Sequence, residues 1–265
     1  MKKLIAIMLA LVMVLALAAC GGKAEAPAAE APAADGELIT VGFAQVGHES
    51  DWRMANTADY QKVFSKENGY DLMFVDCDND NAVQIEAVRT SIQQDVDYIV
   101  LAPIQSAGWE SVLQEAKDAG IPVIVADRQV DADASMYDAF IGTDTHVEGV
   151  AAGNWLAEYL NGEPAKILEI YGTIGASAAI GRAEGFREVA ANHPEWEIID
   201  SQSGDFTQTG GQEVMESFIK SYSDFNVLYC HNDNEAYGAM HRLKPLSLPN
   251  SSPSSLFFSL ISLYK

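Results

Sequence analysis

A repeating order limits most what this chain can fold into. From Leu38 onward, short apolar runs rich in β-branched and aliphatic residues alternate with amphipathic segments of helical period. The strand-like runs are 38–44, 71–76, 98–102, 122–126, 139–143, 166–171, 196–200 and 226–230. The helical patterns are 57–68, 82–95, 106–119, 147–161, 178–192 and 208–221. Several of the strand runs are apolar without interruption, as strands covered on both faces are. Such alternation predicts an α/β fold with parallel sheets built from right-handed crossovers. Ligands of these sheets bind beyond the carboxyl ends of the strands, so function is to be read in the loops that follow them. Punctuation agrees with the division. Ser106 precedes a helix that stops at Gly120 before Pro122, Asp80 or Asn81 can cap the helix from Ala82, and Asn161-Gly162-Glu163-Pro164 is a turn. The strand ending at Thr143 is the expected boundary between two units, 38–143 and 144–240, with Gly142-Thr143-Asp144 as the hinge.

The first forty residues are of another kind. Lys2 and Lys3 precede an apolar run from Leu4 to Ala19, followed by Cys20, Gly21-Gly22 and an Ala/Pro/Glu stretch. The run is about sixteen residues, short for a membrane span, and small residues stand just before Cys20. This predicts an export signal over 1–20 whose removal leaves Cys20 as a lipid-bearing N-terminus, with a plain N-terminal membrane anchor as the alternative. Residues 21–37 hold almost nothing to bury and read as a flexible stalk. The domain beyond is then expected outside the cytoplasm, tethered through Cys20. A formal charge of −22 argues against a nucleic-acid partner, whose phosphates would be repelled. After Cys20 only Cys77 and Cys230 remain, read as two buried thiols, with a single bridge between them the other possibility.

At the loops after the strands the sequence resembles a known family. Val41-Gly42-Phe43-Ala44-Gln45-Val46-Gly47, Asp51-Trp52-Arg53 and Ala126-Asp127-Arg128 are similar to the N-terminal lobe of the sugar-binding proteins of ABC importers. Gly172-Thr173-Ile174-Gly175-Ala176-Ser177, Gly181-Arg182 with Gly185-Phe186, Ser203-Gly204-Asp205-Phe206-Thr207 and His231-Asn232-Asp233 continue the likeness through the second lobe. Val214-Met215-Glu216-Ser217-Phe218-Ile219-Lys220 points to the galactofuranose-binding branch. The resemblance runs from about Leu38 to Met240.

It implies the type I periplasmic-binding-protein fold: two Rossmann-like α/β lobes with parallel sheets, closing on one monosaccharide in the cleft between them. It also implies a monomer that delivers the sugar, galactofuranose, galactose or ribose-like, to a membrane permease. By resemblance, Trp52 and Phe206 contact the sugar ring, while Arg53, Asp127, Arg128, Arg182 and Asn232 hold its hydroxyls. Asp205, Asp233 and Asp51 stand beside them. A sugar offers hydroxyls and an apolar face, which fork-shaped polar groups and aromatic platforms match. Taken singly, Asp127-Arg128 could be an exposed ion pair, Trp52 a core aromatic and Arg182 a surface charge; their order at successive strand ends favours binding. Trp109 is read as packing at its helix start rather than as lining the cleft mouth.

Other chemistries lack their residues. Asp76, Asp78 and Asp80 alternate like a calcium loop, but Asn81 replaces the required glycine and Ala87 the twelfth-position Glu. His48-Glu49 has no second His four residues after His48, and Gly172–Ser177 is neither a phosphate loop nor a nucleophile elbow. No catalysis, metal or cofactor is expected. Sugar-responsive repressors share such lobes, but the export signal and the negative charge argue against one. A lipoprotein presenting bound sugar to a receptor kinase or chemoreceptor would carry the same site.

Residues 241–265 differ from the rest, with seven Ser, three Pro, six Leu and no acidic residue. They read as a frame-shifted or otherwise foreign end on a C-terminally truncated chain, with an apolar tail packing through 256–263 as the alternative. On that reading the second lobe is incomplete and its sheet has an uncovered edge. Sugar binding is then expected to be weak or absent, and aggregation easier than in a complete relative.

Overall fold

The computed structural model describes residues 36–243 and the backbone of 257–259. The expected signal, Cys20 and the stalk up to residue 35, as well as most of the tail, lie outside the described residues. The fold is α/β, with two parallel sheets.

The first sheet is formed by β1 (Ile39–Gln45), β2 (Tyr70–Asp76), β3 (Tyr98–Leu101), β4 (Val123–Ala126) and β5 (Ala139–Ile141), in the order β2-β1-β3-β4-β5. Every neighbouring pair is parallel, with Val41 beside Leu72 on one side and Tyr98 on the other. The helices α1 (Asp51–Val63), α2 (Asn81–Gln93) and α3 (Glu110–Ala119) connect them. Phe43, Ile99, Leu101, Leu113 and Val125 are wholly buried in this core. Because the strand order reverses between β1 and β3, crossovers leave the sheet on opposite faces and open a crevice at the carboxyl ends.

The second sheet has the order β7-β6-β8-β9, from β6 (Ala165–Tyr171), β7 (Trp196–Ser203), β8 (Val227–Cys230) and the three-residue β9 (Phe257–Ser259). Among the described residues this sheet has four strands against the five of the first. Helices α4 (Thr145–Leu160) and α5 (Ser177–Ala190) precede and follow β6; α6 (Gln208–Ser221) and α7 (Asp233–Leu243) follow β7 and β8. Leu156, Ile167, Phe186 and Tyr229 form a core with α4 and α5, and Leu168, Met215 and Phe218 another on the opposite face. The expected bare edge is corrected in part: β9 pairs in parallel with Val227, Leu228 and Tyr229 of β8.

The expected elements are present with shifted ends. α1 starts at Asp51, not Thr57, because the extended Ser50 caps it, its Oγ accepting from Arg53 N at 3.1 Å. Trp52 and Arg53 therefore stand on a helical turn and not in a loop. α3 starts at Glu110 rather than Ser106, whose N–H donates to Gly175 O of the other lobe at 2.8 Å. β7 runs on to Ser203. Trp109 is fully buried and donates to Gln105 O, and Cys77 and Cys230 are buried free thiols. In the acidic run, Asp80 caps α2 through Ala82 N and Val83 N, and Asp76 accepts from Asp78 N.

Candidate functional site

The carboxyl ends of the two sheets face each other across a cleft of about 500 Å³, within the range usual for small-molecule sites. Lobe one contributes the segment after β1 (Glu49, Asp51, Trp52, Arg53) and the pair after β4 (Asp127, Arg128); lobe two contributes Arg182, Phe206, His231, Asn232 and Asp233.

On the first lobe the polar groups form one chain. Arg53 donates from Nε to Glu49 Oε1 at 3.0 Å and from Nη2 to Asp127 Oδ2 at 2.5 Å. Arg128 donates to the same Glu49 Oε1 at 3.3 Å and to Ile104 O at 3.4 Å. The two guanidinia differ accordingly. Burial works against the charge of Arg53, but Asp127 and Glu49 outweigh it and hold its pKa above the ordinary value. Burial and the repulsion of Arg53 bring Arg128 down to about 10 against the pull of Glu49 and Asp127. Glu49 Oε2 and Arg53 Nη1 are buried without a protein partner, an acceptor and a donor left over in one wall.

On the second lobe Arg182 donates from Nε to Glu148 Oε2 at 2.8 Å. The Phe206 ring lies under the guanidinia of Arg128, at 5.0 Å, and Arg182, at 5.9 Å. Gly172 gives the ring its room, since a Cβ there would stand 2.1 Å from Phe206 Cζ. His231 Nδ1 takes the N–H of Gly172 at 3.3 Å, so the ring proton is on Nε2, toward Glu169 Oε1 at 3.0 Å. Burial depresses the His231 pKa against the pull of Glu169. Burial would raise Glu169, but hydrogen bonds with His231, Arg187 and Ser201 outweigh it and hold the carboxyl at about 2.

Three arginines are each matched by a carboxylate, and Asp51 and Asp233 add two further acidic groups, so the cleft asks for no anionic ligand. What remains is unspent donor and acceptor capacity between aromatic walls, Trp52 from one lobe and Phe206 from the other. That arrangement suits a neutral, many-hydroxyl ring.

Trp52, Arg53, Asp127, Arg128, Arg182, Phe206 and Asn232 all line this cleft, as do Asp51 and Asp233. Asp205 does not. Its φ of +54° turns the side chain back along its own loop, where Oδ1 accepts from Ser203 Oγ at 3.1 Å. Asn232 is committed more deeply than a ligand group need be: Nδ2 donates to Phe206 O and Oδ1 accepts from Glu235 N, both at 2.8 Å. Sequence reasoning missed Glu49, His231, Asn56 and Tyr60 of the lining. The i, i+4 spacing of Glu49 and Arg53 around the capping Ser50 was the available signal for the first.

Comparison with known proteins agrees with this geometry. The family described as periplasmic binding protein domain matches residues 41–249, running past Met240. The galactofuranose-binding protein YtfQ of Escherichia coli (strain K12) is 45% identical over 214 residues, 79% of this chain and 67% of that protein. The ribose import binding protein RbsB of Bacillus subtilis (strain 168) is 31% identical over 179 residues, 68% of this chain and 57% of that protein. Among solved structures, the binding component of the arabinose ABC transporter from Shewanella sp. ANA-3, bound to α- and β-L-arabinofuranose, is 43% identical with a TM-score of 0.73. The match covers 78% of this chain and 68% of that one. The chain thus spans about two thirds or less of these relatives' lengths. Family members bind ligands and are not enzymes, and a cleft of paired charges and aromatic walls between two parallel sheets is how this one is built: the chain belongs to the periplasmic binding protein domain family.

Proposed function

We propose that this chain captures a monosaccharide outside the cytoplasm for an ABC importer, closing its two lobes on the sugar and presenting it to the permease. The observation that carries the reading is the cleft in which every arginine is paired with a carboxylate, with Glu49, Arg53, Asp127, Arg128 and Arg182 for hydroxyls and Trp52 and Phe206 for the ring. A relative named for galactofuranose and a solved one bound to L-arabinofuranose support a five-membered sugar ring. Closure follows where the sugar bridges both lobes, because it then binds the closed form better than the open one. A lipid on Cys20 and the stalk of 21–37 would keep a monomer at the membrane beside its permease.

Isothermal titration of the full chain with galactofuranose, galactose, ribose, L-arabinose and citrate tests the reading. The titration is carried to millimolar ligand. Saturable 1:1 binding of a furanose-forming sugar, with no heat from citrate, is expected. Binding of citrate in preference to every sugar, or of no sugar at all, overturns the reading.

A further inference from the structure

Glu235 lines no part of the cleft, yet it holds the backbone of the residue that walls it. Asp205 and Phe206 are consecutive non-glycine residues in the left-handed region, φ +54° and +60°. A turn of that kind persists only where its surroundings over-determine it. Here the first turn of α7 reaches back and grips Phe206 at both backbone groups. Glu235 Oε1 accepts from Phe206 N at 2.9 Å, and Asn232 Nδ2 donates to Phe206 O at 2.8 Å. Asn232 in turn caps α7 by accepting from Glu235 N. A Glu three residues after a helix cap ordinarily folds back to the N–H of the cap itself. Glu235 feels that N–H and takes the N–H of Phe206 as well, from a wholly buried position and with Oε2 buried outside hydrogen-bond geometry of any protein group. Gly204 leaves room for the approach, since a Cβ there would crowd Ile170 Cγ2 at 2.9 Å and Glu235 Oε1 at 3.0 Å.

We propose that Glu235 is a positioning residue that locks the Phe206 backbone in its left-handed turn and so fixes the aromatic wall of the cleft at the angle a sugar ring stacks on. The inference rests on the sugar-capture reading for its functional consequence only; the lock itself is a property of the turn. Burial raises the Glu235 carboxyl to about 8, against the hydrogen bonds from Phe206 and Asn232 and the charge of Arg182, with Asp205 adding to the rise. Below that pH the group is a neutral acid that accepts through one oxygen. The ionisable groups that face it are Asp205 on the turn, Arg182 on α5 and Cys230 on β8.

Amide exchange and NMR titration of the full chain, beside the sugar titration, test the lock. In Glu235→Ala the Phe206 amide should exchange at least about tenfold faster relative to Leu228, and sugar affinity should fall by at least about tenfold. Glu235→Gln keeps the accepting oxygen and should recover most of both losses. The Phe206 amide shift should titrate near pH 8 in the parent and stay flat in Glu235→Gln, a comparison that stands even if Glu235→Ala does not fold. Unchanged relative exchange in Glu235→Ala, or a titration that persists in Glu235→Gln, overturns the proposal. A parent that exchanges as expected but binds no sugar sinks the capture reading and leaves the lock standing.

Discussion

Arg53 and Arg128 share one carboxylate oxygen, and that sharing decides what each guanidinium has left for a ligand. With Glu49 at 3.0 and 3.3 Å from the two, its charge keeps a pair of buried cations compatible in one wall. The Glu49 side chain is 2% exposed and Arg128 4%, so water cannot take over its role. Glu49→Gln keeps the shape and deletes the charge. Breaking one partner out of a buried ion pair is expected to lower stability by about 3 kcal/mol, at the low end of such losses because Asp127 still holds Arg53. Urea unfolding checks this through the midpoint at unchanged slope; a loss below about 1 kcal/mol would show that Glu49 is dispensable to the wall. Asp127 and Arg128 were picked out by their resemblance to a known family at the end of an apolar strand; taken alone they read as an exposed ion pair. Glu49 was not picked out, because a Glu in a loop reads as solvated until tertiary structure buries it.

Helices α4 and α5 meet through glycines, and this seam sets where Arg182 stands. A Cβ on Gly149 would lie 2.2 Å from Arg182 O, one on Gly185 2.1 Å from His146 O, and one on Gly153 2.6 Å from Val189 Cβ. The backbones are thus close enough for Glu148 of α4 to hold Arg182 of α5. Gly149→Ala should push the helices apart at a cost of about 1–3 kcal/mol and weaken sugar binding by loosening Arg182. Thermal unfolding and titration together check it, and a variant as stable and as tight-binding as the parent would contradict the seam. The same elements show what a sequence reveals. Gly181-Arg182 and Gly185-Phe186 stood out as motifs, yet their reason is a helix partner that no local pattern displays. The start of α1 was missed for a related cause. Arg53 is the only buried residue of that helix, so it has no apolar stripe for periodicity to find, and only the Ser50 cap marks its beginning. The central strands β1, β3, β4, β6 and β8, mostly buried, were the most legible elements, and the edge strand β7 was cut short where Ser201, Gln202 and Ser203 extend it with polar side chains.

At the scale of the whole molecule the charge of −22 was legible from the sequence alone, but it says little about which groups make folding depend on pH. Among the carboxylates and histidines with shifted pKa values, three stand out as the most deeply buried, and their perturbation needs the tertiary structure. Glu169 is held at about 2, so its stabilisation is full above the ordinary 4.5 and is lost as pH falls from there. His231 is buried neutral with its pKa depressed below 6.5, so the unfolded chain binds more protons below that pH and stability again falls on acidification. Glu235 works the other way. Its carboxyl is raised from 4.5 to about 8, the folded state binds more protons across that window, and stability falls as pH rises through it. Between 4.5 and 6.5 His231 and Glu235 oppose each other, giving a plateau. Above 6.5 only Glu235 still titrates among the three, while the many surface carboxylates are already ionised and add no further repulsion. The melting temperature at constant ionic strength should therefore decline from pH 6.5 to 8 in the parent and run level over that range in Glu235→Gln, with both losing stability below pH 4.5. A parent curve already level from 6.5 to 8 would mean that the Glu235 carboxyl ionises in the unfolded range after all, and that the fold does not bury it as a neutral acid.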